Sequence, residues 1–372
     1  MTGGPSRPSP APRNGEHRTS HAHLDHRALL YASAEEFREA ATAYFTEGAE
    51  AGDVLVAILP TRPPTAQHAA APDAEAAAAP DAEAGAAPDA EAAAAPGAEG
   101  VGVPVGAEAV GLPGGSGIEV VDAAAWFSSP MRALAAFHER GRTDWWRRGR
   151  LRVLAEPPWG GRSPLEIVEW KRHESLMNVV FESTPTILTC AYDLRTVPAD
   201  VLEDVGRTHP AFADAAAAWS SPSYTDPADF YAECNARPLD PPPRSAEHRR
   251  FTSGQLPDLR FFLTGRAERF GVPADRRLPF VLAANEVATA VIRNGGGRGD
   301  LWIWATADEL VCELADPASR VEDRFLGHLP PRLDRPAEAA MWAVRCLCHI
   351  VEIRSDDRSG TRVRLHTRLD AP

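Results

Sequence analysis

Apolar positions in the first half of the chain fall in short unbroken runs separated by stretches of helical spacing. Residues 28–31, 54–59, 118–121, 151–155 and 186–192 read as strands, and 54–59 is apolar at every position, as a sheet covered on both faces requires. Helices are expected between them. Ser33-Ala34-Glu35-Glu36 is a capping box opening a helix to about residue 50. A second helix is expected over 130–146. Ser163-Pro164-Leu165-Glu166 is another capping box, with proline at the first helical position, and opens a helix to about 181. A further helix covers 198–207. Alternating strands and helices predict an α/β domain with a mainly parallel sheet.

The second half has another rhythm. Helices are expected over 256–270 and 274–293, the latter ended by Gly295-Gly296-Gly297. Strands at 300–305 and 309–315 are joined tightly through Ala307-Asp308, and a helix follows over 336–349. Two last strands, 350–354 and 361–368, flank a turn. This order predicts a two-layer α/β unit with a mixed, mostly antiparallel sheet and helices on one face. Between the halves, 235–250 holds Pro238, Pro241, Pro242 and Pro243 among charged residues and reads as a linker. The expected organisation is a disordered 1–24, a domain over 25–234, the linker, and a domain over 251–372.

Composition changes this picture at one place. Prolines recur at 72, 80, 88, 96 and 104, a period of eight with the unit P-D-A-E-A-A-A-A. A proline at that interval interrupts any Ala-rich helix before its nucleation cost is recovered, so 64–117 is expected as a disordered insertion within the first domain. It holds eight acidic residues and no Lys or Arg; removing them from the net charge of −13 leaves −5, an ordinary value that points to no nucleic-acid surface. No apolar run approaches the roughly 20 residues of a membrane span. Neither that nor the polar N-terminus suggests export, and a cytoplasmic protein is expected. Five cysteines argue against a disulfide framework. Lys171 is the single lysine, and no P-loop is present.

Asn285-Glu286-Val287-Ala288-Thr289-Ala290 leading into Arg293-Asn294-Gly295-Gly296, with Asp316 after a strand and Gly360-Thr361 entering the last one, resembles the histidine-kinase-like (GHKL) ATPases, specifically the anti-sigma-factor serine kinases. The resemblance covers about 251–369. It implies an ATP/Mg site in which Asn285, Glu286, Asp316, Gly360 and Thr361 take part, with Glu286 as general base, Asp316 reading adenine and Thr361 supporting it. The magnesium-binding asparagine of such proteins falls at Ala290, which has no oxygen for a hard cation. Pro317, Ala318 and Ser319 replace the first glycine turn, and Glu338, Ala339 and Ala340 the second. Nucleotide binding is therefore expected to be weak or lost and the role of Glu286 vestigial. The alternative is an active ATP-dependent serine/threonine kinase acting on an anti-sigma antagonist.

His26-Arg27-Ala28-Leu29-Leu30-Tyr31, Gly52-Asp53-Val54-Leu55-Val56, Glu156-Pro157-Pro158-Trp159, Gly161-Arg162-Ser163-Pro164 and Arg172-His173-Glu174-Ser175-Leu176-Met177-Asn178 resemble the MEDS (methanogen/methylotroph sensory) domain. That resemblance covers about 23–231 apart from the insertion. It implies a three-layer, RecA- or Rossmann-like sandwich that binds a small effector. His173, Glu174, Trp159 and Arg162 are the candidate ligand residues, with packing that merely locks the helix as the competing reading. His21, His23 and His26 form H-x-H-x-x-H and Cys346-Leu347-Cys348-His349 forms C-x-C-H. The first lies at the chain's expected disordered edge, and the second puts two thiols on different sides of one helix, so no metal site is expected. The function expected from the whole is a signalling regulator, an effector-sensing domain joined to an anti-sigma-type domain that binds a sigma factor or an anti-sigma antagonist.

Overall fold

A computed structural model describes residues 23–60, 117–294, 296–321, 323, 325–331, 336–356 and 360–369. The expected insertion falls outside them except for Gly117, as do residues 1–22, including His21. Within the described residues the chain builds two sheets.

The first sheet begins with β1 (Asp25–Tyr31), α1 (Ala34–Ala51) and β2 (Val54–Leu59). The Ser33 side chain accepts from the Glu36 amide, and Glu36 returns a contact to the Ala32 amide. Then come β3 (Glu119–Asp122), α2 (Ala123–Trp126) and α3 (Pro130–Arg140). The helix expected to run to 146 is interrupted by a π segment, Gly141–Trp145, before the short α4 (Trp146–Arg148). A side chain on Gly141 would meet the Trp146 ring at 2.6 Å, so this kink depends on glycine. Next follow β4 (Leu151–Ala155), α5 (Pro164–Val180), β5 (Thr186–Asp193), α6 (Ala199–Thr208), β6 (Ala211–Ala213), β7 (Ala218–Ser220) and α7 (Pro227–Cys234). Strand order is β3-β2-β4-β5-β1-β6-β7, parallel throughout except for the terminal β6–β7 pair.

Period-two alternation divides the sheet's side chains between two cores. Leu29, Leu55, Ala57 and Leu59 pack with Ala41 and Phe45 of α1. Ala28, Val54, Val56, Ile58, Leu188 and Cys190 pack with α2, α3 and α5 on the other face. Three layers result, as the pattern predicts.

The second sheet is built from β8 (Glu247–Thr252), α8 (Leu256–Arg269), α9 (Ala274–Asn294), β9 (Arg298–Ala305), β10 (Glu309–Asp316), α10 (Pro336–Leu347), β11 (Ile350–Asp356) and β12 (Gly360–Arg368). Its order is β11-β12-β10-β9-β8. Every pairing in it among the described residues is antiparallel, which corrects the mixed sheet expected from the sequence. One face buries Leu301, Ile303, Leu310, Cys312, Leu314, Val363 and Leu365 under the three helices.

The expected linker is not a free connector. Its end enters β8 at Glu247, and residues near its start lie on the sheet's other face. There the Arg354, Arg362 and Arg364 side chains donate to the carbonyls of Arg237, Leu239 and Asp240. Arg362 and Arg364 also pair with Glu313, which is 1% exposed. No described helix is long and apolar enough to cross a membrane.

Candidate functional site

The α5 helix is unusual in what it buries. From Glu169 to Met177 only Lys171 escapes burial, yet Glu169, Arg172, His173, Glu174 and Ser175 are polar. Buried polar groups persist where they have partners, and the partners of α5 lie on two sides.

On one side is the first sheet. His26 (β1) and Cys190 (β5) project from the α5-covered face, because His26 shares the phase of Ala28 and pairs in register with Leu188, two residues before Cys190. His209 caps the end of α6, where the chain turns into β6. These three converge on Glu174. One ligand atom from each of the four lies within 4.8 Å of every other, and all four residues are buried. His26 Nε2 is 3.5 Å from Cys190 Sγ and 3.7 Å from Glu174 Oε2, and His209 Nε2 is 3.5 Å from the same carboxylate oxygen. Neither Glu174 Oε2 nor His209 Nε2 has a hydrogen bond.

Burial raises the Glu174 carboxyl, but the nearness of His209 and His26 outweighs it and holds the group well below the usual carboxylate range. Burial and the nearness of His209 push His26 down, against the pull of Glu174. Burial and Glu174 push the Cys190 thiol well up. The arrangement is not a thiol relay. Such a relay needs the thiol on one ring nitrogen and the acid on the other. Here both face Nε2, while Nδ1 of His26 donates to Asn178 Oδ1 at 3.0 Å.

An apolar cavity adjoins this cluster, walled by Trp126, Phe127, Phe137 and Met177 with Glu174 and Cys190 at its polar end. It is narrow: the centre of a water molecule can range over about 20 Å³, room for about one water. Of the candidate ligand residues, His173 and Glu174 line the cavity. Burial lowers the His173 pKa to about 4, so the ring is neutral there. Trp159 and Arg162 stand in the loop before α5, one step away. Trp159 stacks on Tyr192, which meets His209 edge-on. Arg162 donates to the carbonyls of Pro158 and Phe127 and lies 4.3 Å over the Trp170 ring. Sequence reasoning missed Cys190 and His209, and it set His26 beside His21 and His23 instead. His23 is exposed and His26 is 2% exposed, so the local H-x-H-x-x-H spacing does not describe the pair's surroundings.

Three of the four converging residues lie in a stretch with known relatives. Residues 114–210 match the MEDS family, the MEthanogen/methylotroph, DcmR Sensory domain. The match covers about a quarter of the chain and includes Glu174, Cys190 and His209. A sensory segment of this kind ties the protein to signalling. No curated protein matches the chain.

On its other side α5 meets the second sheet. Glu166 in its first turn accepts from His349 Nε2 at 3.1 Å and pairs with Arg368. Burial acts to raise the Glu166 carboxyl, but His349, the Ser163 amide and Arg368 bring it down to about 2. Arg172 donates to Asn235 Oδ1, which also receives Arg354 of β11. A second cavity opens at this junction, with Glu169, Arg172 and His173 facing Arg345, His349 and Val351.

The residues that the ATPase resemblance singles out are divided. Asp316, Gly360 and Thr361 share one corner, since Asp316 pairs in register with Thr361. Asp316 Oδ1 accepts from the amides of Ala318 and Ser319 at 3.0 and 3.2 Å. The Thr361 hydroxyl donates to the Ser319 carbonyl and contacts the Ser355 hydroxyl. Gly360 has φ +70°, and a Cβ there would lie 2.2 Å from the Asp316 carbonyl. Its missing side chain is filled by protein backbone. On α9, Glu286 is exposed, and Asn285 accepts from Arg260.

Proposed function

We infer that the protein is a signalling regulator in which the MEDS-matching segment takes a small effector and the second sheet reads its state out through protein binding, to a sigma factor or an anti-sigma antagonist. One observation carries this reading. The α5 helix presents His173 and Glu174 to the apolar cavity and, two turns earlier, Glu166 to His349 and Arg368 of the second sheet. The cavity as it stands holds about one water, so an effector must part α5 from its neighbours to enter, and that moves the ion pairs of α5 at the junction. Packed elements shift between discrete arrangements rather than deforming smoothly, so a displacement of about an ångström suffices.

The reading treats the nucleotide site as degenerate. Ala290 has no oxygen, Asp316 Oδ1 is engaged by its own turn, and backbone occupies the space beside Gly360. The test uses the full chain. Tagged protein and its Glu166→Gln variant are used to capture partners from the native cell, and any recovered sigma factor or antagonist is then titrated in purified form. The expected result is direct binding whose affinity differs between the two. Recovery of neither class, or equal affinity for both forms, overturns the coupling. Magnesium-dependent ATP binding at about 100 µM or tighter, with phosphate transfer to the captured protein, replaces this reading with the kinase alternative.

A further inference from the structure

We propose that His26, Glu174, Cys190 and His209 form a closed, four-coordinate site for a divalent d-block cation of the zinc class. The inference rests on the cluster's geometry and stands independently of the output partner.

Three of the six donor–donor distances match tetrahedral edges, and the other three lie within 4.8 Å. Metal–ligand bonds of about 2.0–2.3 Å give donor–donor edges of roughly 3.3–3.7 Å. Three edges of the cluster are 3.5, 3.7 and 3.5 Å. The two nitrogen–oxygen edges are too long for good hydrogen bonds, and all three are the right length for atoms sharing a central cation.

The protons are also arranged for a cation. Asn178 Nδ2 donates to the carbonyls of Thr208 and Ser175, which can only accept. The amide oxygen of Asn178 therefore faces His26, so His26 carries its proton on Nδ1. His209 Nδ1 lies 2.9 Å from the Val205 carbonyl and is protonated for the same reason. In both rings Nδ1 is thus taken up by a fixed acceptor, and Nε2 is the nitrogen turned toward the buried Glu174 carboxylate. Glu174 Oε2 and His209 Nε2 have no hydrogen-bond partner there, and a shared cation would engage both. Hydrogen bonding that fixes the tautomer of each ligating imidazole is the usual outer shell of a metal site.

The donor set selects the metal. Two imidazoles, a thiolate and a carboxylate suit a tetrahedral ion of borderline softness. Calcium and magnesium require six or more oxygens and near-octahedral or larger shells. Loading displaces the Cys190 proton to solvent and leaves the thiolate as ligand.

The test is cobalt titration of the chelator-stripped full chain. The expected result is one Co²⁺ per chain with the intense visible bands of a tetrahedral ion and a near-ultraviolet thiolate-to-cobalt band. Zinc should displace it and magnesium should not. Cys190→Ser should abolish the thiolate band, whereas Cys346→Ser should leave the spectrum unchanged. Should Cys190→Ser fail to fold, Asn178→Ala decides: it keeps all four donors and should weaken cobalt binding about 10- to 100-fold. A pale octahedral spectrum, no stoichiometric binding, a thiolate band that survives Cys190→Ser, or unchanged affinity in Asn178→Ala overturns the proposal.

Discussion

Single residues show how tightly the first sheet is built around charge. Arg152, the second residue of β4, is fully buried and reaches Asp53 and Glu47 across the face that α1 covers. Room for it comes from Gly48 in α1, where a Cβ would stand 2.5 Å from the Arg152 Cδ and 2.7 Å from a Leu55 methyl. Helix propensity alone predicts that Gly48→Ala stabilises by about 1 kcal/mol. Overpacking against a pinned side chain predicts a loss of about 1–3 kcal/mol. We expect the loss, read as a lower denaturation midpoint in urea. On the second sheet, His366 sits between Glu309 and Glu352. Burial works against its charge, but the two carboxylates prevail and raise its pKa to about 9. A raised folded-state value stabilises fully below the unfolded pKa near 6.5 and fades as pH climbs through 9. Stability should therefore fall by up to about 3 kcal/mol between pH 6.5 and 10. His366→Gln should flatten that slope in denaturation curves taken across the same range.

At the scale of elements, the docked connector makes its own prediction. Replacing both Arg362 and Arg364 by alanine removes the ion-pair partners of Glu313 and two anchors of residues 239–240. A buried carboxylate left without its partners costs about 3–5 kcal/mol. Trypsin should then cut after Arg244, which Ser245 follows, faster than in the parent protein; equal rates would mean the connector is held by other contacts. The sequence does not announce this element, because Glu-His-Arg-Arg-Phe-Thr in β8 has one buried residue and lies at a sheet edge. The short β6–β7 pair was equally silent, with no fully buried position in either strand. By contrast α1, β2, α5, α9, β9 and β10 were legible, since each carries a cap or an apolar period strong enough to be read locally. The buried cluster was half legible. Glu174 stood out beside His173, but Cys190 looks like any strand cysteine and His209 like any residue after a helix. Sheet register sets residues 26 and 190 close together, and the packing of α5 and α6 brings 174 and 209 to them; both are long-range properties.

Across the whole molecule, Glu166 is one of the points where the two sheets are pinned. Glu166→Gln keeps the shape and the Ser163 cap region while removing the charge that holds His349 and Arg368. Because Glu166 is 6% exposed and its carboxyl sits near 2, its contribution is present above about pH 4 and disappears as pH falls toward 2. We expect a loss of about 1–3 kcal/mol at neutral pH. Amide exchange should quicken in α10 and β11 while β2 and β4 stay protected. Uniform quickening everywhere would instead mean that the carboxylate supports the whole fold rather than the junction.

The position of β1 has a consequence in time. It lies between β5 and β6, and its first pairing joins Asp25 to Ile187, 162 residues further along. At a synthesis rate of about 5–20 residues per second, this strand leaves the ribosome roughly 10–30 s before its partner exists. The sheet cannot close from its beginning, and the slow, non-local pairing that results favours late folding. Of the four residues around the buried centre His26 is made first and His209 last. On the proposed metal site, a nascent chain shorter than that lacks part of the ligand set, which is complete only after α6 is made.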